Sequence, residues 1–151
     1  MATTIQLQVD FREFLKLLAS NKVEYLLIGG YAVGYYGYPR PTGDLDVWIA
    51  TSPQNAQRVV SALGQFGFNA STKMFLKENS HVRMGVPPFR LEILTTIDGV
   101  DFADCYAARN SVVIDGIEVD LINLRDLRLN KKASGRLKDL SDLENLPPSP
   151  S

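Results

Sequence analysis

The sequence predicts a mixed α/β (α+β) fold, with a short mixed β-sheet and flanking helices. Segments with helical apolar spacing alternate with short apolar runs rich in β-branched residues. Asp115-Gly116 between two such runs marks a two-residue hairpin, so the sheet is not wholly parallel. The 151 residues suit one domain, long enough to bury roughly two-thirds of the surface of the unfolded chain. The expected organisation is one domain over residues 1–146 and a disordered tail over 147–151.

The elements follow in order. Asp10 can cap a first helix, with Glu13 completing a capping box. Phe11, Phe14, Leu15, Leu17 and Leu18 form its apolar stripe and Asn21 its end. Val23 to Ile28 is a buried strand ending in Gly29-Gly30. Tyr31 to Tyr38 is a short Tyr-rich helix, and Pro39 to Gly43 a turn. Leu45 to Ala50 is a strand. Ser52 caps a helix with Pro53 at its first position, Ala56, Val59, Val60, Leu63 and Phe66 on its buried face, and Gly67 at its end. His81 to Val86 and Arg90 to Thr95 are strands around Pro87-Pro88. Phe102 to Arg109 is a helix. Val112 to Ile114 and Ile117 to Ile122 form the hairpin. Leu124 to Ala133 and Leu137 to Leu146 are amphipathic helices broken near Gly135.

Composition narrows the function classes. The net charge of −1 argues against a surface that binds polyanions as a whole. One cysteine, Cys105, allows no intrachain disulfide, and one histidine, His81, disfavours the usual Cys/His zinc sites. The N-terminal stretch lacks the basic and apolar regions of a signal peptide, and no apolar run is long enough to span a membrane. The expected compartment is the cytoplasm.

The chemistry concentrates between Leu27 and Ala50. Asp44 and Asp46 stand two apart on a strand, so both carboxylates share a face while Leu45 and Val47 point to the core. Two like charges side by side are unfavourable unless a cation lies between them, and Mg²⁺ commonly takes one or two carboxylates plus substrate phosphates. An exposed acidic strand entrance is the plainer alternative. Gly29-Gly30 does not fit the dinucleotide-binding glycine spacing. It is either a tight turn needing positive φ or a strand–helix junction that turns backbone N–H groups toward phosphate. Glu92 alternates with Leu91 and Ile93. If its strand lies beside the Asp44–Asp46 strand, the three acids converge; otherwise it is a solvent-facing edge residue.

These residues carry a family resemblance. The pattern G-G-Y-A…G-Y-P-R-P-T-G-D-L-D-V resembles the polymerase-β-type nucleotidyltransferase superfamily, and most of all small bacterial AbiEii-related and minimal nucleotidyltransferases. R-L-E-I-L-T-T-I-D-G-V-D-F resembles that group's third-carboxylate strand, and L-R-D-L-R-L-N-K-K-A-S-G-R-L-K-D-L-S-D-L-E its C-terminal helical motif. Together they span about residues 23 to 146.

The resemblance implies a nucleotidyltransferase-like sheet and Mg²⁺-dependent transfer of a nucleoside monophosphate from an NTP to a hydroxyl, with pyrophosphate released. Mn²⁺ is a substitute metal. By the same resemblance Asp44, Asp46 and Glu92 are the catalytic and metal-binding acids. Gly29, Gly30, Arg40, Thr42 and Lys131 contact or shape the nucleotide site. Arg136, Lys138 and Asp139 match the rest of the C-terminal motif. The acceptor is open among small molecules, tRNA or other RNA, and protein. A homodimer or an antitoxin-like partner is compatible with so small a chain. The chain departs from the family at Tyr36, where relatives often carry His, and at Glu92, where Asp is more usual. These departures motivate a second reading: a non-catalytic nucleotide- or RNA-binding relative in a toxin–antitoxin or stress system. A relative that keeps only the fold is a third.

Other residues have two readings each. Arg125 to Asp139 holds six basic residues against two acids, a local +4 that suits a triphosphate or an RNA backbone, or else a solvated helix face. Tyr35, Tyr36 and Tyr38 can stack on a base or pack on the sheet. Trp48 shares the face of Asp44 and Asp46, bordering a pocket or packing at an edge. His81 is expected to be structural and Cys105 a buried thiol.

Overall fold

A computed structural model describes residues 7–37, 43–86 and 89–149. Among these residues are six helices and six strands. They are α1 (Val9–Ser20), β1 (Tyr25–Ile28), α2 (Gly29–Tyr36), β2 (Asp44–Ile49), α3 (Pro53–Phe66), β3 (His81–Val86), β4 (Phe89–Leu94), α4 (Phe102–Ala107), β5 (Asn110–Ile114), β6 (Ile117–Leu121), α5 (Leu124–Ser134) and α6 (Leu137–Asn145), with a 3-10 turn at Thr72–Phe75. The strands form one sheet in the order β3-β4-β2-β1-β6-β5. β1–β2, β3–β4 and β5–β6 are antiparallel, whereas β2–β4 and β1–β6 are parallel. The predicted mixed sheet with flanking helices is the fold observed.

Strand alternation divides the sheet into two chemically distinct faces. Leu45, Val47 and Ile49 of β2, with their partners Leu91 and Ile93 of β4, are buried on one face. α1 and α3 pack together, and their stripes Phe11, Phe14, Leu15, Leu18 and Ala56, Val59, Ala62, Leu63 are buried in the same core. Burying this apolar surface is the main force holding the sheet to its helices. Asp44 and Asp46 point to the other face, beside Arg90 and Glu92 of β4 and Ile28 of β1.

Ends of elements carry local chemistry. Ser52 accepts the N–H of Asn55 and Pro53 opens α3, as the sequence indicates; Gly67 closes it at φ +110°. Asp115 (φ +50°) and Gly116 (φ +78°) make the predicted hairpin turn. The first helix differs from expectation. It starts at Val9, and the Gln8 carboxamide, not Asp10, caps it by accepting the N–H groups of Asp10 and Phe11. β1 starts two residues later than read, and α2 starts two residues earlier, at Gly29. α5 and α6 pack against each other, joined by Gly135 at φ +66°. Arg128 donates to the carbonyls of Leu143, Leu146 and Pro147 and so satisfies the last turn of α6.

Candidate active-site cleft

The register of the sheet brings the three predicted acids together. Asp46 lies directly opposite Glu92, and Asp44 opposite Arg90, across the parallel β2–β4 pair. Opposed residues on neighbouring strands share a face at about 5 Å. The three carboxylates therefore line one cleft of about 510 Å³, together with Gly29, Gly30 and Lys131. Arg40, Thr42 and Tyr38 lie outside the described residues.

Asp46 is the most strained of the three acids electrostatically. Burial, its hydrogen bond with Glu92 and the charges of Glu92 and Asp44 push its pKa up to about 8. Its Oδ1 is buried without a hydrogen-bond partner. Glu92 sits in the opposite balance. Burial works to raise its pKa, but the hydrogen bond from Asp46 and the charges of His81, Arg83 and Arg90 outweigh burial and hold it below the usual value. Arg83 Nε is 2.8 Å and His81 Nε2 3.4 Å from Glu92 Oε1. Arg90 grips Asp44 with Nε at 3.3 Å and Nη2 at 3.2 Å. A proton on Asp46, hydrogen-bonded to Glu92, relieves the like-charge repulsion of the pair.

Gly29 is what lets Asp46 sit where it does. Its φ is +70°, and a Cβ built there would overlap the Asp46 carboxylate. Gly29 therefore needs its positive φ, and a helix starts at the same point. That helix end is unusual in its capping. Side chains of Gln8, Ser52, Asp101 and Asn123 cap α1, α3, α4 and α5, whereas α2 and α6 have no side-chain cap. Residues at the N-termini of both, Gly29 and Gly30 and then Arg136, Lys138 and Asp139, line the cleft. Uncapped N–H groups and the positive ends of helix dipoles favour an anion there.

The oxygen-only donors suit a hard cation such as Mg²⁺, and the unpartnered Asp46 Oδ1 is an available ligand. Among the described residues no three acids, histidines or cysteines close around one point as a cage. Two carboxylates completed by substrate phosphates is the arrangement these residues fit.

Several expectations change at the residue level. Trp48 is buried, stacks edge-to-face on Phe102 and donates to the Thr95 carbonyl, so it packs and does not border the cleft. Tyr36 donates to the Ile122 carbonyl and accepts from Asn110, tying α2 to the far end of the sheet; neither it nor Tyr35 lines the cleft. Base stacking by these two tyrosines is thereby set aside. Cys105 is buried, with burial and the neighbouring Asp126 raising its thiol to about 12. His81 lies in the cleft against Glu92, closer to the chemistry than its sequence context indicated. Arg83, which lies outside every motif, and Arg90, which opens the third-carboxylate stretch but to which the resemblance assigns no role, are the cations nearest the acids. They meet the acids across strands, Arg90 opposite Asp44 and Arg83 opposite Glu92, so only the register of the sheet reveals them.

No family model and no curated protein matches the chain. Two solved structures resemble it in fold. A protein of Thermotoga maritima described as a nucleotidyltransferase has a TM-score of 0.61 and 15% identity, over 89% of this chain and 88% of its own. The lincosamide antibiotic adenylyltransferase LnuA, solved with lincomycin bound, has a TM-score of 0.62 and 16% identity, over 92% of this chain and 95% of its own. The order and direction of the strands, the helices around them and these two likenesses agree that the chain has a nucleotidyltransferase fold.

Proposed function

We propose that the chain is a Mg²⁺-dependent nucleotidyltransferase that moves a nucleoside monophosphate from an NTP to a hydroxyl acceptor. One observation carries this reading: Asp44, Asp46 and Glu92 stand together in a cleft that also presents two uncapped helix N-termini. Acids alone would repel a triphosphate. Acids beside N–H groups and cations describe a place for a metal and an anion together.

Asp44 and Asp46 hold the Mg²⁺, which when bound offsets phosphate charge and stabilises the leaving pyrophosphate. Gly29 and Gly30 offer backbone N–H groups to phosphate oxygens. Glu92, kept charged by Arg83 and His81, accepts the proton of the acceptor hydroxyl as its oxygen bonds to the α-phosphorus. The bond from that phosphorus to the pyrophosphate oxygen breaks. The alternative role of Glu92 as a third metal ligand competes with its existing bond to Arg83. LnuA is an adenylyltransferase that holds a small antibiotic, which makes ATP and hydroxyl-bearing small molecules the first substrates to try.

Thermal unfolding with each NTP, with and without Mg²⁺, tests the binding half. An NTP at ~100 times its Kd adds about 2.7 kcal/mol, several degrees for a domain of this size. The shift is expected to need Mg²⁺ and to vanish in Asp46→Asn. No shift with any NTP, or an unchanged shift in Asp46→Asn, overturns the reading. Pyrophosphate release with a hydroxyl-bearing acceptor tests the transfer itself. Binding without release under an acceptor panel would mark a non-catalytic nucleotide-binding relative.

A further inference from the structure

Two lysines face the cleft from the α5–α6 hairpin, in very different surroundings. Lys131 is 6% exposed, with Nζ 3.0 Å from Asp139 Oδ1 and 3.2 Å from Asp142 Oδ2. Both carboxylates are nearly fully buried, and Arg136 Nε reaches Asp139 Oδ2 at 2.7 Å. Lys131 thus pairs with two buried acids of the hairpin, and Arg136 with one of them. Turning Lys131 toward a phosphate would break both of its buried ion pairs, and breaking a buried pair is strongly unfavourable. Lys138 is exposed on the first turn of α6 and lines the same cleft as Gly29, Asp44 and Asp46. It makes no ion pair with any described residue. Its neighbour Asp139 is pinned by Lys131 and Arg136, which fixes the turn that carries it.

We propose that Lys138, not Lys131, is the lysine that meets the nucleotide phosphates, and that Lys131, Asp139 and Asp142 are positioning residues that hold the hairpin presenting it. This rests on the nucleotidyltransferase reading and names a different lysine from the one the family resemblance implies.

Calorimetric binding of two probes tests it: inorganic tripolyphosphate, and the NTP that most stabilises the wild-type protein, each with Mg²⁺. Lys138→Ala is expected to weaken both by about tenfold or more, the loss of one charge-assisted contact. Its unfolding temperature should stay within about a degree of wild type, since the side chain is exposed. Lys138→Arg should keep most of the affinity. Lys131→Met should instead lower the unfolding temperature by about ten degrees yet bind within about threefold of wild type where it is folded. If Lys131→Met does not fold, its structural role is supported and the two Lys138 variants decide the rest. Wild-type binding with Lys138→Ala unchanged overturns this proposal alone. Lys131→Met that is stable but loses both probes also overturns it. A wild-type protein that binds neither probe overturns the nucleotide reading together with it.

Discussion

Gly29 and Asp46 compete for one small volume, and glycine is the only residue that leaves the carboxylate its place. At φ +70° an L-residue is strained, and the overlap of a Cβ with Asp46 adds to that strain. Gly29→Ala is expected to destabilise the protein by about 1–3 kcal/mol in urea denaturation and to abolish Mg²⁺-dependent nucleotide binding. An alanine variant with wild-type stability and binding would show that the contact is not constraining. The acids themselves were legible in the sequence, because a period of two on a strand fixes which side chains are neighbours. The cations around them were not. Arg83, His81 and Arg90 meet Glu92 and Asp44 through cross-strand register, and register depends on the whole sheet. Lys131 and Lys138 were both visible as charges in a helical motif, but only burial separates the one already paired from the one left exposed in the cleft.

At the scale of elements, the strand–helix corner next to β2 depends on a polar residue. Asn55 is 1% exposed on α3. Its Oδ1 accepts the Glu24 N–H at 2.8 Å, and its Nδ2 donates to the carbonyls of Glu24 at 3.1 Å and Ala50 at 2.8 Å. It thereby joins the start of α3 to the strand ends of β1 and β2, on the core side of the sheet. Asn55→Ala takes the side-chain partner from the half-buried Glu24 N–H and Ala50 carbonyl, while the Glu24 carbonyl keeps the Ala50 N–H, and is expected to lower stability by about 1–3 kcal/mol in denaturant melts. Asn55→Asp keeps the acceptor and loses the donors, so it should fall by a comparable amount. A change below about 0.5 kcal/mol in either variant would sink the bridging role. Apolar periodicity identified α3 and its buried stripe but passed over Asn55, since a polar residue on the buried face breaks the pattern that reveals the face. Gln8 was missed for a related reason: Asp10 fits the capping preference better, and only the path of the chain puts the Gln8 carboxamide over the free N–H groups. The hairpin and the Ser52-Pro53 start were legible because their chemistry is local.

For the whole molecule, the acid pair in the cleft ties folding to pH and, on the proposed function, to metal. Asp46 ionises near 3.8 when free and at about 8 in the folded, metal-free protein. Between those values the folded state holds a proton that the unfolded chain has lost, so this group's stabilisation is complete below about pH 4 and disappears as pH rises through 8. Glu92 and Asp139 act in the other direction. Burial works against both charges, but their cationic and hydrogen-bonding partners win and lower both pKa values, so their stabilisation is present above the usual carboxylate range and is lost in acid. The protein without metal should therefore be most stable near pH 5, weaken as pH rises to about 8 and level off above it. A cation held by Asp44 and Asp46 replaces the Asp46 proton, so Mg²⁺ should abolish this decline and release about one proton per ion bound at pH 7. Urea midpoints from pH 5 to 9, in chelator and in Mg²⁺, check the first part; calorimetry in buffers of different ionisation enthalpy checks the second. Asp46→Asn, which keeps the volume and removes the titration, should flatten the metal-free profile and make it indifferent to Mg²⁺. A wild-type profile that falls toward pH 8 equally with and without Mg²⁺ would locate the titrating group elsewhere and detach the metal from these two aspartates.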